Sequence, residues 1–123
     1  MGAASEIPPE TCAPMKQFDI MWANLPDPIG RRPVLVLTRS SGYAYLNKIL
    51  IAEVTATIRN IPQEVAVGKH EGLSRSSVVN FDSIHVVPKT SLGKRIGSVA
   101  PERHREIKRA LGYALDWPEL KVL

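Results

Sequence analysis

The chain has 123 residues, enough for one ordinary domain, with 44% hydrophobic and 23% charged residues and few aromatics. Its core is therefore expected to be built from Val, Ile, Leu and Ala. It holds a single cysteine and no apolar run near the ~18 residues that a membrane-crossing helix needs, so an internal disulfide and a spanning helix are both excluded.

Residues 1–14, "MGAASEIPPETCAP", are rich in Ala, Pro and Glu without periodicity and read as a tail. No basic region leads into an apolar stretch there, so no secretory signal is present and a cytoplasmic location is expected. The lone Cys12 lies in this tail without a basic partner and reads as a bystander rather than a nucleophile. Glu6 and Glu10 are the only charged side chains of the tail, which leaves 16 basic against 10 acidic side chains in the rest, a net +6. A body of that charge favours anionic partners such as nucleic acid.

Residues 18–24 carry Phe18, Ile20 and Trp22 at period two, which suits a first strand. "LPDPIG" then gives four turn formers in six residues. The run 33–39 opens on Pro33 and reads as a strand buried on both faces, with Arg31 and Arg32 at its mouth. Residues 40–45 read as a loop or a single helical turn. Residues 46–57, without Gly or Pro, predict a long strand with Leu50, Ala52, Val54 and Ala56 on one face and Glu53, Thr55 and Thr57 on the other. Residues 63–67 predict a short strand, and 68–76 a polar connection. Two strands follow, 77–81 and 84–87, broken around Asp82 and Ser83, and "GKRIGSVA" adds a last one. From Pro101 the period changes: Ile107, Ala110, Leu111, Ala114 and Leu115 trace the stripe of an amphipathic helix. Pro101 suits its first position, Glu102 its positive end, and Pro118 marks its stop. Many short strands followed by one helix predict a small, partly open β-barrel with the helix packed on it.

The three histidines, His70, His85 and His104, are not at ligand spacing and no cysteine pair exists, so no metal site is expected. Phosphate-loop and nucleophile-elbow patterns are absent. What remains is a basic strand mouth beside a threonine-bearing strand face. A guanidinium binds phosphate bidentately and stays charged at biological pH. Held on a rigid strand end, it can stabilise the charge that develops on a phosphodiester under attack. Thr55 and Thr57 can add hydroxyl hydrogen bonds. The plainer reading is that the arginines solvate a strand end and the threonines are good strand formers. The His85 imidazole suits proton transfer or a groove wall, whereas His104, between Arg103 and Arg105, reads as solvated and His70 as an ordinary loop residue.

The segments "DIMWANL" (19–25), "GRRPVLVL" (30–37), "ILIAEVTATIRNIPQEV" (49–65), "LSRSSVVNFDSI" (73–84) and "LGKRIGSVAPERHREIKRALGYAL" (92–115), in this order and spacing, resemble the MazF/PemK/Kid toxins. These are the endoribonuclease halves of type II toxin–antitoxin pairs. The resemblance implies a mainly β fold, an SH3-like, partly open barrel with a C-terminal helix, over residues 16–117 between tails 1–15 and 118–123. It implies a homodimer, an antitoxin with a flexible acidic segment, and cleavage of single-stranded RNA by 2′-hydroxyl attack without metal or cofactor. Arg32, before the strand-opening proline, and Thr55, closing the long strand, match the family's catalytic positions, and Asp82 matches an acidic residue that some members use. Arg31, Thr57, Asn80, His85 and Trp22 are the expected substrate contacts. Arg39, Lys48 and Lys89 are plausible further phosphate contacts, and Tyr45 a second stacking ring.

The chain also departs from the family's pattern. Phe18 stands where glycine precedes the strand's aspartate, the first loop is short, His85 replaces an arginine, and Glu53 replaces a frequent proline. That carboxylate is expected to accept a proton or to pair with Arg32. Ala100 replaces a serine at the helix start. Two other readings stand beside the nuclease: a gyrase poison of the CcdB type, which shares the barrel and cuts nothing, and a degenerate member that only binds RNA or an antitoxin. Arg32 with Thr55 favours the nuclease, since a poison needs neither.

Overall fold

A computed structural model describes residues 15–123; the tail reading, with Cys12, lies outside the described residues. Six strands, β1 (Asp19–Leu25), β2 (Gly30–Val36), β3 (Lys48–Thr55), β4 (Glu64–Val67), β5 (Ser77–Pro88) and β6 (Leu92–Ser98), make one sheet in the order β4-β5-β3-β2-β1-β6. Every neighbouring pair is antiparallel. Two helices follow, α1 (His104–Leu115) and α2 (Pro118–Lys121). This is the expected class, a mainly β half-barrel with a C-terminal helix.

The sheet curls until the 3₁₀ turn after β4 (Lys69–Glu71) meets β6. Glycine makes that approach possible. A Cβ on Gly97 would stand 2.0 Å from the Glu71 carbonyl oxygen, and one on Gly72, whose φ is +91°, would stand 2.4 Å from that of Ile96. Strand β1 carries apolar residues toward both faces, so the curled sheet has two cores. Ile20, Leu35, Ala52, Val54, Val79 and Phe81 pack under Ile107 and Ala110 of α1. Met21, Ala23, Val34, Val36, Ile49 and Ile51 pack on the other side with Tyr43.

Three strands differ from the sequence reading in ways that shape the site. Strand β2 begins at Gly30, not Pro33, because Leu25 pairs with Gly30 across a four-residue turn. Arg31 and Arg32 therefore lie within the strand. Pro33 stands just before the β2–β3 ladder begins at Val34–Glu53, where a missing N–H does little harm. Strand β3 is shorter than 46–57 and ends at Thr55, whose Oγ1 accepts from the Thr57 N–H at 3.2 Å. Its face with Glu53 and Thr55 is not polar throughout; Ile49 and Ile51, both fully buried, begin the same row. On its other face Ala52 and Val54 are in the core, but Leu50 is exposed.

The third difference is β5, one continuous strand where two were expected. The reading of a break at Asp82 and Ser83 has a physical counterpart. Glu53 pairs with Asn80 and Ala52 with Ile84, so three residues, 81–83, bulge out of the ladder. Asn80 holds the bulge: its Oδ1 accepts from the Asp82 N–H at 2.9 Å and its Nδ2 donates to Ser83 Oγ at 3.3 Å.

Phe18 adopts φ +72°, in the left-handed region that glycine favours. It is held there by backbone bonds to Val36 and Val99 and by an edge contact with the His104 ring at 4.5 Å. His104 is thus not the solvated residue expected; its Nε2 also lies 3.0 Å from the Val99 carbonyl. Ala100 precedes a 3₁₀ turn (Pro101–Arg103) with no side-chain cap. Helix α1 does stop just before Pro118, after Leu115. Asp116, at φ +51°, ends α1, and Pro118 opens α2, which folds back against Gly112.

Candidate active site

At the rim of the curl the ends of β2 and β3 face the loop that follows the Lys69–Glu71 turn. Between them lies a cleft of about 560 Å³, lined by Trp22, Arg31, Arg32, Thr55, Thr57 and Arg75 among others. Extending the β2–β3 register by two places sets Arg32 opposite Thr55 on the same face. Arg31 faces the other way by alternation and lies across Trp22, its guanidinium carbon 4.2 Å from the ring centroid. The pair is diagonal in the ladder, since Trp22 stands opposite Pro33. A stacked guanidinium and indole make a flat cationic wall suited to a base or a phosphate.

Arg32 is held from behind. Its Nη1 donates to Glu53 Oε1 at 3.0 Å, and Glu53 Oε2 is hydrogen-bonded to His85 Nε2. Glu53 is 12% exposed, while Arg32 and His85 keep 32% and 36%. Arg32 Nε is enclosed without an acceptor among the described residues. The guanidinium thus spends one Nη1 hydrogen on Glu53 and has Nε enclosed, while its other Nη hydrogens make no hydrogen bond among the described residues, which is what binding an anionic oxygen requires.

Of the eight residues expected at the site, five line this cleft: Arg32, Thr55, Arg31, Thr57 and Trp22. The other three are on β5, outside it. His85 reaches it only through Glu53. Asn80 is buried with both ends of its amide used on the bulge. Asp82 is exposed on that bulge, and no hydrogen bond joins its carboxylate to the cleft residues. Arg39, Tyr45, Lys48 and Lys89 gather at the opposite end of β3, ~23 Å from Thr55 by strand rise. Arg75 also lines the cleft, on the polar connection of residues 68–76. Its sequence signal was only a basic residue within a serine run.

Residues 16–115 match the family described as PemK-like, MazF-like toxin of type II toxin–antitoxin system. The chain belongs to that family. Among its relatives is endoribonuclease MazF3 of Mycobacterium tuberculosis, 36% identical over 88 residues, 70% of this chain and 85% of that one. Probable endoribonuclease MazF5 of the same organism is 37% identical over 99 residues, 80% and 90% of the two chains. Among solved structures, the M. tuberculosis toxin MazF-mt6 superposes with a TM-score of 0.76 at 34% identity, covering 80% of this chain and 96% of that one. A mycobacterial endoribonuclease in complex with its cognate antitoxin gives 0.74 at 28%, covering 85% and 97%. In this MazF-like chain the barrel is therefore the family's own, and the cleft at its rim is where the strand ends carrying Arg32 and Thr55 meet.

Proposed function

We propose that this chain is the toxin of a type II toxin–antitoxin pair and an endoribonuclease that cuts single-stranded RNA at short sequences. In this reading the ribose 2′-oxygen attacks the adjacent phosphorus and gives up its proton. The bond to the 5′-oxygen breaks, and that oxygen takes up a proton. The products are a 2′,3′-cyclic phosphate and a 5′-hydroxyl. The observation that carries the reading is the pairing of a partly unspent guanidinium, Arg32, with the Thr55 hydroxyl across one cleft.

Arg32 stabilises the charge that gathers on the phosphoryl oxygens, and its mount on a buried strand spares reorganisation at the moment of reaction. Thr55 orients the phosphate through its hydroxyl. Trp22 with Arg31 holds a neighbouring base or phosphate, and Thr57 and Arg75 border the entrance. We assign Asp82 no bond-making step, because its carboxylate lies outside the cleft. The reading carries with it a homodimer acting in the cytoplasm and an antitoxin whose flexible acidic segment complements the +6 body. Among the described residues no helix is long and apolar enough to cross a membrane.

Incubation of the purified protein with mixed RNA in EDTA tests this. The expected result is discrete fragments with 5′-hydroxyl ends. Intact RNA, or gyrase inhibition without cleavage, would overturn it. End mapping of the fragments gives the recognition sequence.

A further inference from the structure

We propose that His85 is a positioning residue for Arg32, acting through Glu53, and not a contact to RNA. The inference rests on the nuclease reading of the same cleft. It starts from two side chains, a glutamate on β3 and a histidine on β5, which the fold joins with Arg32 into one array. His85 stands opposite Ile51, and Glu53 is two places on along the same face of β3. Each carboxylate oxygen has its own partner: Oε1 the Arg32 guanidinium, Oε2 the His85 imidazole. His85 is absent from the cleft wall, so its route to the reaction passes through that carboxylate.

The division of the carboxylate has two physical consequences. First, two anchors on opposite oxygens fix the plane of the carboxylate, and with it the direction of a long, flexible arginine. Second, His85 keeps Oε2 occupied. Without it, Glu53 is free to turn and take Arg32 by two parallel N–H···O bonds, the geometry that guanidinium and carboxylate favour. Arg32 would then be drawn back and its charge neutralised just where the phosphate needs it. The imidazole thus keeps Glu53 from holding Arg32 too tightly. The loss should fall on turnover rather than on RNA binding, since Arg31, Trp22 and Arg75 still line the cleft.

A double-mutant cycle tests this, with an RNA oligonucleotide that wild type cuts and its 2′-deoxy analogue as a binding probe. Arg32→Ala is the control for the site itself. If it retains cleavage, the nuclease assignment of the cleft is wrong, whatever His85 does. With Arg32→Ala inactive, His85→Ala should lower kcat about tenfold with KM and binding of the deoxy analogue nearly unchanged. His85→Gln, whose amide can donate to Glu53 Oε2, should recover most of that loss. In the Glu53→Gln background, where the neutral amide cannot neutralise Arg32, His85→Ala should change kcat less than about twofold. Independent effects of the two substitutions, or a His85→Ala loss confined to KM and analogue binding, would overturn the proposal. Thermal melts accompany each variant. If His85→Ala does not fold, His85→Phe, a ring without a donor, takes its place in the wild-type and Glu53→Gln backgrounds: equal losses in both refute the proposal.

Discussion

Arg32 and Arg103 both stand beside poorly exposed carboxylates, and the fold uses them in opposite ways. Arg103 spends every nitrogen on the protein. Its Nε donates to Glu106 at 2.9 Å, its Nη1 to Glu71 at 3.3 Å, and its Nη2 to Glu106 at 2.7 Å and to the Ala66 carbonyl at 2.6 Å. That ties the start of α1 to strand β4 and to the turn that closes the curl. Arg32 makes one bond, leaves Nε without an acceptor among the described residues, and borders a cleft. A saturated guanidinium holds a fold together, whereas an unsaturated one at a cleft is available to a substrate.

The contrast can be broken most sharply at Arg32. Arg32→Ala should reduce RNA cleavage by at least about a hundredfold, as removal of a transition-state donor does, while the melting temperature falls less than in Arg103→Ala because Glu53 keeps its bond to His85. Cleavage close to wild type would erase the distinction. Arg103→Ala should do the reverse. It leaves Glu71, 7% exposed, without its cation, at a cost of about 3 kcal/mol, read as a fall in melting temperature. Its turnover well below the melting point should persist.

A smaller effect follows from pH. The hydrogen bond from Arg103 holds the Glu106 carboxyl below its usual value of about 4.5, with its charge adding to that effect and burial opposing it. The stabilisation is present above the unfolded value and is lost as pH falls through the lower, folded one. Glu106 is 41% exposed, so solvent screening limits this to a few tenths of a kcal/mol. Melting curves between neutral and acid pH should lose that increment in Glu106→Gln. Of comparable size is an effect at Ala100, which opens the turn that carries Arg103 and has no side-chain cap. Ala100→Ser should raise stability by about 0.5 kcal/mol, toward the low end for an N-cap because the turn is short. An unchanged melting temperature would mean that Arg103's own bonds already saturate this end.

Much of the fold was legible where one period dominates. The stripe Ile107–Ala110–Leu111 gave the helix, and "EVAV" and "GKRIGSVA" gave β4 and β6 within a few residues. Faces were harder to read, since a strand buried on both sides has no alternation to follow. The polar face assigned to β3 holds Ile49 and Ile51 at its start, and Met21 and Ala23 on β1 are as buried as Ile20. The extent of β2 was hidden because pairing across a turn, not hydrophobicity, carries it back to Gly30. Arg32 and Thr55 were legible at the site because a cation and a hydroxyl on adjoining strands suggest phosphate chemistry. The role of Glu71 was not, since a carboxylate in "GKHEG" looks solvated until the curl buries it under Arg103. Phe18 shows the same limit: its left-handed backbone is stabilised by contacts with β2, with Val99 and with His104, all distant in sequence.

The bulge in β5 has a consequence for how this site can change over evolutionary time. Asn80 and Ile84 take neighbouring places along β3, opposite Glu53 and Ala52, while the three residues between them have no partner on that strand. Pairing with β3, not the number of looped-out residues, sets the face that each β5 side chain takes. A codon gained or lost among residues 81–83 therefore leaves His85 opposite Ile51 and beside Glu53 as long as the pairs from Ile84 onward hold. Only a one-place slip of that downstream ladder would carry His85 to the helix-facing core and hand its place to a neighbour.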